Sequence, residues 1–189
     1  MYLPFPAEHY VADHSGRLAA LADGARMTTS HDRARETGID MAEDLQRDVV
    51  TRQVCRGVGR LVRTLGFSSL NELPLPNGRR ADVVALSASG DIWIIEVKSS
   101  VEDFRADQKW PEYREFSDQL YFAVAPEFPV DILPADTGLI LADRFGGEIV
   151  RPAPEARLAP ARRKSMTLRF AHAAALALHI AVDPSHENS

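Results

Sequence analysis

A chain of 189 residues with a single cysteine, Cys55, cannot close a disulfide within itself. That excludes the disulfide-stapled class and fits a reducing, cytoplasmic compartment. Long apolar runs are equally scarce. The longest, from Phe170 to Val182, is interrupted by His172 and His179 and is too short to span a bilayer, so no membrane partner is expected. The first residues, Met1-Tyr2-Leu3-Pro4-Phe5-Pro6, supply neither the basic nor the apolar segment of a signal peptide, and none is expected. A basic excess is missing as well: a net charge of −5 argues against a chain wholly coated in cations for nucleic acid. The charge is unevenly spread, since residues 1–46 hold eight acids against four arginines and the remainder is close to neutral.

What is present, 45% hydrophobic and 26% charged residues, suits one soluble globular domain with a sizeable core. Residues 1–44 are polar and weakly periodic and read as an extension, flexible or partly helical. The domain is expected over 45–183, with 184–189 as a tail. From 45 to 65 the period turns helical, with Val50, Val54, Val58, Leu61, Val62 and Leu65 in one stripe. Arg52, Arg56, Arg60 and Arg63 form a second stripe, read as a solvated face ahead of a DNA track. Gly66 is a helix stop. Strands are expected near 67–75, 79–87 and 91–99, with turns at Asn77-Gly78 and Ser89-Gly90. A helix over 101–117, broken or restarted at Pro111, leads to a buried strand at 120–125. Strands at 138–142 and 147–150 and a closing helix over 162–181 complete an α/β sandwich with a mixed sheet, apolar on both faces of its middle strands.

The chemistry collects at the end of the most apolar strand. Glu96-Val97-Lys98 follows Ile92-Trp93-Ile94-Ile95, and Asp82 lies in the strand before it. Charges at the edge of a buried sheet are costly unless paired or employed. If both hairpins have three-residue loops ending in a left-handed glycine, Asp82 stands opposite Glu96 and Glu72 opposite Asp82. Two-residue loops would shift each pairing by one and move Glu72 off the row. Acids side by side call for a cation. Lys98 offsets one charge, and a Mg²⁺ or Mn²⁺ ion held by Asp82, Glu96 and the main-chain carbonyl of Val97 would offset the others. Such an ion lowers the pKa of a bound water, and Lys98 beside it would orient the attack on a phosphodiester. The plain alternative is a buried ion network with no chemistry.

These residues resemble the PD-(D/E)XK nuclease superfamily, with its α-β-β-β-α-β restriction-endonuclease-like core. Asp82 matches the motif's Asp, with Ala81 where proline is usual, and Glu96-Val97-Lys98 matches the (D/E)XK. Within it the chain resembles the MmcB-like family of bacterial DNA-repair endonucleases. The matching segments are 78–83, 96–100, Asp103-Phe104, 107–111, 118–124, 138–140, Ala142-Asp143 and 162–164, and the likeness spans about 45–180. The resemblance implies a metal-dependent endonuclease acting on DNA, with Asp82 and Glu96 as metal ligands, Lys98 beside the water, and repair-complex proteins as further partners. Many superfamily members carry another acid on the first helix. Only Asp48 is available here, so Glu72 is preferred as the fourth catalytic member. A catalytically silent DNA-binding or scaffold module is the alternative.

Other residues carry two readings each. Arg79 and Arg80 follow a turn beside the site and suit a phosphate contact or a salt bridge. Lys109 suits a flanking phosphate or solvent, and Trp110 an unpaired base or, preferably, the core. Asp103 and Asp107 are read as a helix cap and a salt bridge ahead of a second metal site. Arg162, Arg163 and Lys164 open the last helix, where the macrodipole disfavours cations, so they need acids of the same chain or a DNA backbone. His172 and His179 are read as packed or surface residues.

Overall fold

A computed structural model describes residues 30–107 and 109–183, with side chains from 45 onward. Most of the expected extension and the whole of the 184–189 tail lie outside the described residues, and 30–44 enter only as helix backbone. The sheet belongs to the compact unit Ala42–Ser189.

The helical stripe folds as α1, Ser30–Thr64, and ends where Gly66 adopts a φ of 84°. Strands β1 (Phe67–Pro74), β2 (Arg80–Ser87) and β3 (Ile92–Lys98) follow at the expected places. Gly78 and Gly90 close the two hairpins at φ 81° and 91°, and Phe67 faces Ser87 while Val83 faces Ile95, the registers predicted from three-residue loops. Pro111 divides the next segment: α2 covers Val101–Ala106, and a 3-10 helix, Trp110–Phe116, restarts with proline in its first turn. Strands β4 (Gln119–Val124), β5 (Gly138–Ala142) and β6 (Gly147–Arg151) and helix α3 (Pro160–Val182) complete the order.

The six strands lie in sequence order, with β3–β4 and β4–β5 parallel and the rest antiparallel. Both faces are covered. Val54, Val58 and Val62 of α1 pack on Val83, Ile95 and Val97, while Tyr113, Phe116, Met166 and Phe170 cover Val84, Ile92 and Ile94. Helix α1 passes so near the β5–β6 turn that a β-carbon at Gly57 would collide with the main-chain oxygens of Asp143 and Gly146. Helix α3 contains the apolar stretch from Phe170 to Val182. Its apolar run is short, but the whole helix is long and apolar enough, by length and composition, to cross a membrane. Here Met166 and Phe170 pack it on the sheet, and Leu168, Leu178 and Val182 are exposed.

The first turn of α3 has three cations and no acid. Asp118, just before β4 and only 3% exposed, resolves the conflict with the dipole. It accepts two bonds from Arg163, at 2.6 and 2.8 Å, and the amides of Ile92 and Leu158, at 2.8 and 2.9 Å. Arg162 donates to the Glu115 carbonyl at 3.1 Å and lies 3.5 Å from its carboxylate. Of the two readings of Arg162 and Arg163, acids of the same chain or a DNA backbone, the structure shows the first: Asp118 and Glu115 hold them. They also sit at the start of β3, a strand length of about 20 Å from Lys98. Lys164 is exposed and forms no ion pair among the described residues.

Burial alone would raise the Asp118 carboxyl, but the Arg163 guanidinium and the two amides outweigh it and hold it below the ordinary carboxylate range. The stability it contributes is complete above about pH 4 and is lost as pH falls through the lowered value. Asp118→Ala is expected to cost about 3 kcal/mol in urea unfolding at pH 7, because it leaves Arg163 without its anion. The variant should also lose less stability than wild type between pH 4 and pH 2, and an unchanged acid profile would contradict this account.

Candidate active site

Strands β2 and β3 are paired from Leu86–Ile92 as far as Val83–Ile95 and then part. The next amides must find other acceptors. The Asp82 N–H donates to Glu96 Oε1 at 3.3 Å, and the Val97 N–H donates to Asp82 Oδ2 at 2.8 Å. Each carboxylate thus caps the neighbouring strand. Glu96 is 3% exposed, and Asp82 is half-buried. No buried side-chain polar atom lacks a partner among the described residues, so Asp82 Oδ1, which accepts no protein hydrogen bond, reaches solvent. Residues of an extended strand aim their N–H and C=O to the same side, so the Val97 carbonyl faces the Asp82 side of β3.

Burial and neighbouring acids both raise a carboxyl's pKa. Burial, then the Asp82 charge, push Glu96 up to about 8 against the pull of Lys98. Burial also raises Asp82, with Glu72 and Asp103 adding to it and the Val97 amide and Lys98 opposing. Burial would lower Lys98, but its hydrogen bond to Asp107 outweighs this and its ammonium is held firmly protonated. Lys98 Nζ lies 2.6 Å from Asp107 Oδ2 and 3.9 Å from Glu96 Oε2.

Helix α2 prepares this arrangement. Ser100 is its N-cap and accepts the Asp103 N–H at 3.1 Å, while Asp103 accepts the Ser99 N–H at 3.0 Å, a reciprocal cap. Asp107, at the other end of α2, then meets Lys98. The cap and salt-bridge readings of Asp103 and Asp107 therefore hold, with the salt bridge made to the site's own lysine. Sequence spacing alone hid this, because a loop and a helix bring the two together over nine residues.

The structure treats the remaining candidates differently. Glu72 stands opposite Asp82 by register, but neither residue joins the β1–β2 ladder. Its backbone takes a positive φ of 58°, and its carboxylate meets Arg80 at 2.9 Å in an exposed ion pair. The expectation of Glu72 as a fourth member of the buried row is corrected: the bend turns its carboxylate to Arg80. Arg79 is gripped by both oxygens of Glu112 at 3.0 Å, so the salt-bridge readings hold for Arg79 and Arg80. Lys109 is exposed, and its ammonium makes no ion pair among the described residues. Trp110 packs edge-on against Phe122 at 5.4 Å, as core. His172 and His179 are on the surface.

Three more residues surround the site: Tyr113 and Cys55, which the chain did not single out for it, and Asp48, which the sequence offered on the first helix behind Glu72. The Tyr113 hydroxyl donates to the Arg80 carbonyl at 3.3 Å, and burial together with Glu96 and Asp107 raises it well above its ordinary value. Cys55 of α1 is pushed up to about 12 by burial and then by Asp82, Glu72 and Glu96, so it stays a thiol. Asp48 lines a cavity of about 670 Å³ with Thr51, Ser99 and Asp103, next to Lys98 in the chain. Among the described residues no three His, Cys, Asp or Glu side chains converge into a ready-made metal cage.

A six-stranded mixed sheet flanked by helices, with an acid pair and a lysine at a parted strand end, defines an α/β protein with a compact polar centre. The chain belongs to the family of MmcB-like DNA repair proteins, whose profile matches residues 40–185. A solved structure, the SPO1766 protein of unknown function from Silicibacter pomeroyi, is 46% identical, covers 74% of this chain and 95% of its own, and has a TM-score of 0.71. No curated protein matches the chain. The family attaches the chain to DNA repair.

The acid pair costs stability while no cation binds it. Glu96→Gln is expected to raise the melting temperature in EDTA at pH 7.5 by a few degrees: with its pKa pushed up to about 8, Glu96 must take up a proton on folding or stay charged in a buried place, and the amide of nearly equal volume does neither. A drop in melting temperature would show instead that Glu96 is held by a net favourable ion network.

Proposed function

We propose that the protein is a divalent-metal-dependent DNA endonuclease of the PD-(D/E)XK type, working in DNA repair. The observation that supports this most is the parted end of β2 and β3, where Asp82, Glu96 and a buried, protonated Lys98 share one small volume. Asp82 Oδ1, Glu96 and the Val97 carbonyl are hard oxygen donors. Two carboxylates without a third suit Mg²⁺ or Mn²⁺, which keep several waters, better than an ion that needs a full protein cage. Bound there, the ion would neutralise the acid pair and supply Lewis-acid polarisation of a phosphate oxygen and of water.

The chain's own residues do the rest. Lys98 is protonated, so it acts as a cation and hydrogen-bond donor and not as a base. It orients the attacking water and stabilises charge growing on the phosphate oxygens. Asp107 positions its Nζ. Exposed Lys109, two residues on, is available to a flanking phosphate. DNA binding without cleavage is the second reading, favoured by the turn of Glu72 away from the row and by the 2.6 Å Lys98–Asp107 contact, which occupies the lysine.

Purified protein incubated with single-stranded, duplex and branched DNA and with Mg²⁺ or Mn²⁺ is expected to cut at least one substrate. Asp82→Ala and Lys98→Ala should each lower the rate by about 100-fold or more. Asp107→Asn should lower kcat with little change in KM, because it frees a group used only during reaction. Cleavage that survives both alanine substitutions would remove the site, and binding without cleavage on every substrate would favour the second reading.

A further inference from the structure

Three of the four arginines in the α1 stripe, Arg56, Arg60 and Arg63, line a groove, and Arg56 and Arg63 stay exposed there, as a solvated face requires. A cavity of about 820 Å³ lies between α1 and β1, with Arg56, Arg60 and Arg63 on one side and Ser68, Ser69 and Asn71 on the other, and no acid lines it. Strand β1 is at the edge of the sheet, so its outward amides and carbonyls have no strand partner. Arg60 donates to the Phe145 carbonyl at 3.0 Å, while Arg56 and Arg63 are exposed and form no ion pair among the described residues. In a chain of net charge −5, an acid-free groove with three arginines is a pronounced local anion site.

The groove also has a direction. Asn71 immediately precedes Glu72, which stands opposite Asp82, so the β1 wall runs towards the parted strand end. Cys55, which lines the same groove, packs on the core cluster that contains Val83, Ile95 and Val97, the chain neighbours of Asp82 and Glu96. From Arg56 to Arg63 the helix rises about 10 Å, enough to face more than one phosphate of the same strand. Arginine, serine, asparagine and free main-chain amides are the groups that hold nucleic-acid backbones without reading sequence.

We infer that this groove is the path of one DNA strand, held by Arg56, Arg60, Arg63 and the β1 edge and delivered to Asp82 and Glu96. The inference rests on the DNA-cleavage reading and adds to it where the strand lies. The β1 edge invites a single strand, so unpaired DNA beside the cut is the favoured substrate form.

The full-length protein can be titrated into fluorescent 20-nucleotide single-stranded and duplex DNA in EDTA, with anisotropy read at several NaCl concentrations. Arg56→Ala/Arg63→Ala is expected to weaken binding about tenfold or more and to reduce the slope of log affinity against log salt by about 1.4 on single strands and about 1.8 on duplex. Arg56→Lys/Arg63→Lys should keep most of the slope. Arg157→Ala, on the exposed loop before α3, controls for net charge and should change little. If wild type binds and the double alanine variant binds equally well with an unchanged slope, the groove is not the path, and the cleavage reading stands. If wild type binds neither DNA, the groove and the DNA reading fall together. A circular-dichroism melt of each variant separates lost binding from lost folding.

Discussion

The parting of β2 from β3 is the constraint on which the rest of the site depends. A ladder that ran on in the same register to Ala81–Val97 would offer the Val97 amide a main-chain carbonyl and leave the Asp82 carboxylate without that bond. Because the strands separate after Val83–Ile95, the amides of Val97 and Asp82 take Asp82 and Glu96 as acceptors and draw two acids into one dry pocket. Backbone satisfaction, a stability requirement, thus fixes the position of groups that are costly to hold in place. Lys98 continues the same strand and is kept charged by Asp107, so the cation stands beside the acids without neutralising both.

The two ends of β3 use charge in opposite ways. At its start, Arg163 and Asp118 complete one another and nearly every donor and acceptor there is matched inside the chain. At its far end the charges are unbalanced, one carboxylate oxygen reaches solvent, and burial pushes both acids up. The first arrangement anchors α3, and the second holds two carboxylates beside a single lysine that is itself paired with Asp107. Outside the site, Arg56, Arg60 and Arg63 of α1 line a concave surface that no acid lines, a local positive patch in a chain of net charge −5.

Much of the fold was legible because its signals are local. The glycine-ended hairpins predicted both registers to the residue, since turn length sets which residues face each other. The apolar stripe of α1 and the break at Pro111 were equally local. The site was only partly legible. Asp82, Glu96 and Lys98 lie on paired strands, where register carries the information. Glu72 has the right register but sits on a bend, and register says nothing about where a bent strand sends its side chain. Arg162 and Arg163 look unpartnered in the chain because Asp118 and Glu115 lie more than forty residues away.

The sequence by itself determined most of the element order and the acid, acid and lysine at one strand end, because these follow from turn chemistry and two-residue alternation, and the structure selected the three-residue loops that set the registers. Only the tertiary structure decided which charges meet. Ion pairing depends on distances between elements set by packing, so Arg79 went to Glu112, Lys98 to Asp107 and Arg163 to Asp118. Packing also left Arg56 and Arg63 along a groove without an acid of their own.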